Sequence, residues 1–214
     1  MGVLTDLATV AVLAFIGVRL VEASRHATTR RARAHSVEIV RGLRPHHFLL
    51  AVPILALVIG AFVLLVEIPG LSFGWFTFIG GEGNPVFGTS ESTAGTPLEV
   101  IVPLVFIALL IPALPLLVER EEYLFRRGSE HRTLGARIWR GMVFGLVHTV
   151  VGIPIGAALA LSIGGWYFTW AYLRGYRQGG ATAARLESTR SHLAYNTIIV
   201  TLVLVAIVSE SLAT

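Results

Sequence analysis

The 214-residue chain contains no cysteine, no lysine and little charge of either sign. Without cysteine there can be no disulfide, no thiolate nucleophile and no cysteine-ligated zinc. Only 14% of the residues are charged, against about 25% in an ordinary soluble domain. By contrast 54% are hydrophobic, and the mean hydropathy is +0.73. Such a composition belongs in a bilayer. The net charge of +4 rests on 17 basic residues, every one of them arginine. A basic balance can mark a nucleic-acid binder, but here the arginines cluster in loops between apolar runs. Orientation in the membrane accounts for that pattern, and no nucleic-acid partner is expected. Arginine without lysine hints at a GC-rich prokaryotic genome, hence at a prokaryotic cytoplasmic membrane.

A helix needs about 20 apolar residues to cross the hydrocarbon core. Four runs meet this directly: 3–22, 47–67, 98–118 and 191–209. A fifth, 141–173, would extend about 50 Å as one helix against a core of about 30 Å. It contains Gly152-Ile-Pro154-Ile-Gly156, a natural break, and reads as two crossings, or one crossing plus a partly re-entrant segment, turning near 152–158. The first run leads with Asp6 and no small-x-small site follows it, so it is read as a retained helix rather than a cleaved signal. The expected fold is all-α, a polytopic transmembrane helical bundle of about six spans.

Arginine placement supports that count. Loop 23–46 holds Arg25, Arg30, Arg31, Arg33, Arg41 and Arg44; loop 119–140 holds Arg120, Arg126, Arg127, Arg132, Arg137 and Arg140; loop 174–190 holds Arg174, Arg177, Arg185 and Arg190. Loop 68–97 has only Glu82 and Glu91. If 141–173 crosses twice, all three arginine-rich loops share one face, which the positive-inside rule makes cytoplasmic. The outer loop, with Gly80-Gly-Glu-Gly-Asn-Pro85, lacks the Gly-Lys-Ser/Thr ending of a phosphate loop and reads as a connector. Trp166, Tyr167, Trp170 and Tyr172 occupy the second half of the 141–173 stretch, and those nearer its basic end read as an interfacial aromatic belt rather than a binding cage.

Three polar clusters interrupt the apolar chain: Glu121-Glu122-Tyr-Leu-Phe-Arg126, Phe144-Gly-Leu-Val-His148 and His192-Leu-Ala-Tyr-Asn196. Ionisable groups in or beside membrane spans are costly and mark candidate sites. Within each cluster the outer pair, Glu122 and Arg126, Phe144 and His148, or His192 and Asn196, is spaced i,i+4 and shares a helix face. Three helices can thus direct a carboxylate, two imidazoles and a carboxamide into one polar pocket near the cytoplasmic side. A carboxylate beside a histidine can take a proton from water, and a second imidazole with an amide can donate to an oxyanion. Singly, each cluster has a plainer account: a snorkelling charge group, a packing histidine, a helix cap. His46 and His47, after Arg44-Pro45, read as an interfacial helix start. Pro103, Pro112 and Pro115 are expected to kink the third span.

Glu-Glu-x-x-x-Arg, Phe-x-x-x-His and His-x-x-x-Asn, in this order on successive helices, resemble the three motifs of the CPBP family of CAAX-processing and bacteriocin-processing (Abi) intramembrane proteases. The resemblance covers about 98–209 and implies a four-helix catalytic core in 98–214, with 1–97 supplying two further transmembrane helices, a basic cytoplasmic loop and an outer loop. It implies that Glu121 activates water, aided by His148, that His192 and Asn196 stabilise the oxyanion, and that Glu122, Arg126 and Phe144 support them. The first motif departs from the family's Phe-Arg-Gly by an extra arginine, running Phe125-Arg126-Arg127-Gly128.

The expected function is an intramembrane endopeptidase acting near the cytoplasmic face on a membrane-anchored or lipidated protein or peptide. No cofactor is required by this reading. A divalent metal such as zinc remains the alternative, with Glu121, His148 and His192 as ligands, since the family is often labelled metalloprotease although His-Glu-x-x-His is missing. Two other functions stay open: a catalytically idle family member serving as an interaction or immunity protein, and a small proton or cation transporter.

Overall fold

The computed structural model describes residues 2–74 and 95–213, so most of the outer loop, with Glu82 and Glu91, lies outside the described residues. All regular elements described are helices. They are α1 (Gly2–Ala27), α2 (Arg30–Arg41), α3 (Pro45–Val66), α4 (Leu98–Arg126), α5 (Leu134–Leu146) and α6 (Ile155–Ala213), with short 3-10 turns at Ser129–His131 and Val147–Val151. The all-α expectation is met.

Three helical stretches are long and apolar enough to cross a membrane: Pro45–Val66, Leu98–His131 and Ile155–Ser209. Leu49, Leu57 and Leu64 of α3 are exposed, as lipid-facing side chains of a membrane protein would be. The third stretch is a hairpin. Gly179 and Gly180 leave helical geometry, and Gly180, at φ 69° and ψ −160°, occupies a region essentially restricted to glycine. The arms 155–178 and 181–213 then run back along each other, bringing Phe168 onto His192 with ring centroids 4.1 Å apart. At Gly175 the approach is so close that a Cβ would lie 2.8 Å from the Ala183 carbonyl oxygen.

The expected break in 141–173 is present: α5 passes into a 3-10 turn and α6 begins only after Gly152-Ile-Pro154. The loop boundaries differ from expectation. Loop 23–46 contains α2, loop 119–140 shrinks to the residues between Arg126 and Leu134, and loop 174–190 is helical except at Gly179 and Gly180. Arginines report where the apolar solvent ends, whereas a helix can run on into water. The first cluster is therefore wholly helical, as the last turns of α4.

Two groups of apolar side chains surround the polar clusters. Ala51, Leu55 and Val58 of α3 pack with Phe144 of α5 and with Ala160, Tyr167, Phe168 and Tyr195 of α6. Ile39 of α2 joins Leu114 and Val118 of α4 and Leu193 of α6. Of the aromatic residues in this stretch Tyr167 and Tyr172 are buried and Trp166 and Trp170 are exposed, so Tyr172, near the basic end, is not part of an exposed belt.

Candidate active site

Glu122, Arg126 and His192 are each at most 2% exposed. Unpaired, such charges would cost several kcal/mol each, so their partners are decisive. The Glu122 carboxylate accepts from His192 Nδ1 at 2.9 Å on Oε1 and from the Ser188 hydroxyl on Oε2. Arg126 Nη1 lies 3.5 Å from the same Oε1, and Arg126 Nη2 donates to the Gly165 carbonyl at 3.2 Å. The guanidinium sits 4.2 Å above the Phe144 ring, a cation–π contact that helps to hold it away from water.

The aromatic members orient the imidazoles. Phe168 stacks on His192 with a 17° interplanar angle, and the Phe144 ring meets His192 edge-on at 5.5 Å and His148 at 5.2 Å. Five residues named from the sequence, Glu122, Arg126, Phe144, His148 and His192, thus form one contact network. Glu121 joins it at the rim, with Oε2 3.7 Å from His192 Nε2 and its side chain 39% exposed. Asn196 is half-buried one turn beyond His192. Its side-chain amide makes no hydrogen bond to another described residue.

Proton positions follow from the acceptors. A carboxylate beside Arg126 and Ser188 only accepts, so His192 carries hydrogen on Nδ1 and directs Nε2 toward Glu121. His148 Nδ1 lies 2.8 Å from the Phe144 carbonyl oxygen and must donate to it, leaving Nε2 available as an acceptor. Both rings therefore present Nε2.

Metal chemistry can be tested on the same ground. A histidine ligating through Nε2 normally donates its Nδ1–H to a carbonyl or carboxylate, and His148 and His192 both do so. Their ligand atoms, however, do not gather with those of Glu121. Among the described residues, the set of three with ligand atoms within 4.8 Å of one another is His46, His47 and Glu187. There the proton is misplaced: the Arg44 backbone N–H donates to His47 Nδ1 at 2.9 Å, so the neutral ring carries hydrogen on Nε2. That atom faces Glu187 at 3.4 Å as a donor to a carboxylate. Neither set fits a metal as it stands. His46 and His47 do begin a helix as expected, and they also tie α3 to α6 through Glu187.

Glu121 lines a groove of about 1320 Å³ between α1, α2 and α4, with Leu116, Leu117 and Leu124 on its apolar side and Arg31 and Arg120 among its cations. Glu122 instead borders a small cavity of about 130 Å³ beside Tyr172 and Arg185. Adjacent glutamates thus border different cavities while both face His192.

Ser188, Phe168 and Gly165 were not singled out from the sequence. Ser188 had a readable signal, since it precedes His192 by one turn as Asn196 follows it by one. Phe168 and Gly165 had none, because their roles arise from the hairpin. No family model, curated protein or solved structure matches the chain.

Proposed function

We propose that the protein is an intramembrane endopeptidase that hydrolyses a peptide bond of a membrane-anchored or lipidated substrate near the cytoplasmic face of a prokaryotic membrane. The observation carrying this reading is the pairing of buried Glu122 with His192 Nδ1 while Glu121, at the wall of a groove, faces Nε2 of the same ring. One carboxylate orients the histidine, and the other is available to water and substrate.

In the reaction proposed, Glu121, aided by His148, removes a proton from a water. The hydroxide attacks the scissile carbonyl. The resulting oxyanion takes hydrogen bonds from the Asn196 amide and from His192 Nε2. With Nδ1–H already given to Glu122, that second donation uses the proton taken from water, which Glu121 relays to His192 Nε2, 3.7 Å away, as the oxyanion forms. The same proton then leaves with the departing amine, returning the ring to its Nδ1–H form. No step is routed through a metal.

The six-crossing topology, with the arginine-rich segments inside, belongs to this proposal, as does the four-helix core within 98–214. The test is a comparison of membrane proteomes from cells carrying the wild type or Glu121→Ala. An uncleaved membrane-anchored precursor accumulating in the variant is the expected result. Identical proteomes from equally expressed proteins would remove the reading.

A further inference from the structure

We propose that Ser188 is a positioning residue, acting through Glu122 to fix the proton and the ring orientation of His192; its role in turnover rests on the peptidase reading above. Ser188 has 0% exposure, so it reaches no substrate, and none of the three sequence clusters contains it. Its hydroxyl donates to Oε2 of Glu122 while His192 Nδ1, one turn further along the same helix face, donates to Oε1. One carboxylate thus takes a donor on each oxygen from residues i and i+4.

The two donors stand in different relations to the rest of the site. His192 is otherwise held by the rings of Phe168 and Phe144. Such contacts depend on the outline of the imidazole, which changes little when the ring turns over by half a revolution. That turn would exchange Nδ1 for Cδ2 and Nε2 for Cε1, aiming carbon at Glu121. Two polar contacts tell the orientations apart, and the hydrogen bond to Glu122 at 2.9 Å is the closer, the Glu121 carboxylate lying 3.7 Å from Nε2. Glu122 must therefore keep Oε1 on Nδ1, although Arg126 Nη1, 3.5 Å from that oxygen, competes for it. Ser188 holds the other oxygen and prevents the carboxylate from rotating toward the guanidinium. The buried carboxylate has about four acceptor positions, and without Ser188 the Oε2 pair has no described hydrogen-bond donor.

The experiment is nitrogen NMR of the full-length protein, labelled with ¹⁵N-histidine, in lipid nanodiscs, His192 being assigned by loss of its signal in His192→Gln. In the wild type His192 is expected to carry hydrogen on Nδ1, and Ser188→Ala is expected to lose that single state. Ser188→Thr, which keeps the hydroxyl, is expected to restore it. With a substrate in hand, Ser188→Ala should lower kcat by about ten- to a hundredfold, the range seen when the group orienting a metal-bound histidine is lost, with KM unchanged. A wild-type His192 protonated on Nε2 alone, an unchanged Ser188→Ala spectrum, or a kcat unaltered by Ser188→Ala overturns the proposal. Should no variant or wild type cleave any substrate while the spectra change as expected, the peptidase reading falls and the Ser188–Glu122–His192 clamp stands.

Discussion

Glu122 accepts the Nδ1 proton of His192 at 2.9 Å, and its chain neighbour Glu121 faces the other nitrogen of the same ring at 3.7 Å. Two adjacent glutamates therefore hold different positions: one fully buried and spent on orientation, the other at the wall of a groove. Their consequences for stability and for activity separate accordingly.

Replacing Glu122 by Leu leaves Arg126 buried without its carboxylate. Breaking a buried pair by removing one partner costs about 3–5 kcal/mol, so Glu122→Leu is expected to melt far below the wild type in detergent. The double variant Glu122→Leu/Arg126→Met removes both charges and should recover much of that loss while remaining inactive. Equal melting of the wild type and Glu122→Leu would show that the pair is not buried as described.

Glu121→Gln is the converse case. The side chain is 39% exposed and its ion-pair partner, His192, is already held by Glu122, so thermal stability should stay close to wild type. Cleavage should fall by about a hundred- to ten-thousandfold, the usual contribution of a positioned acid or base. Wild-type turnover by Glu121→Gln would assign the base elsewhere.

Much of this arrangement was legible in the sequence, for reasons that also explain what was not. The apolar runs announced α3, α4 and the arms of α6, and Gly152-Ile-Pro154 announced the break before α6. The Gly179-Gly180 turn falls inside the expected loop 174–190, but its tightness was hidden, because its polar, arginine-bearing flanks read as a loop although both are helical. The spacing of Glu122 with Arg126 and of His192 with Asn196 put each pair on one helix face. Which of Glu121 and Glu122 is buried against His192 could not be read, since neighbouring helical residues differ by about 100° in direction and the rotation of α4 is set by packing against α1 and α6. Glu187 illustrates the limit: nothing local in the sequence links it to His46 and His47, about 140 residues earlier.

Asn196→Ala tests the oxyanion assignment. The amide makes no hydrogen bond to a described residue, so its removal should not unfold the protein. Loss of one oxyanion donor costs about a hundred- to a thousandfold in kcat, and KM should hold steady. A change confined to KM would make Asn196 a binding residue instead.

Metal removal distinguishes the two chemistries left open by the motifs. With hydrogen on His47 Nε2 and with Glu121, His148 and His192 ungathered, purified protein dialysed against a chelator is expected to retain its turnover. Loss of activity on chelation, restored by zinc, would show that Glu121, His148 and His192 close on an ion and would reassign the water's activation.

The hairpin supplies the last expectation. Gly180 holds φ 69° and ψ −160°, and a non-glycine residue forced into so sparsely populated a region costs about 1–3 kcal/mol. Gly180→Ala should therefore lower the melting temperature. At Gly175 a Cβ would lie 2.8 Å from the Ala183 carbonyl oxygen, so Gly175→Ala must push the two arms apart. Phe168 and His192 stack across those arms, and spreading them would withdraw the imidazole from Glu122. Gly175→Ala is thus expected to lower both stability and turnover, whereas Gly164→Ala, where a Cβ meets only the Phe168 ring at 3.6 Å, should leave turnover unchanged and raise stability slightly, as alanine favours a helix interior over glycine. Melting curves and cleavage rates of the three variants check this, and a fully active Gly175→Ala would show that the site tolerates a wider hairpin than the stacking of Phe168 on His192 allows.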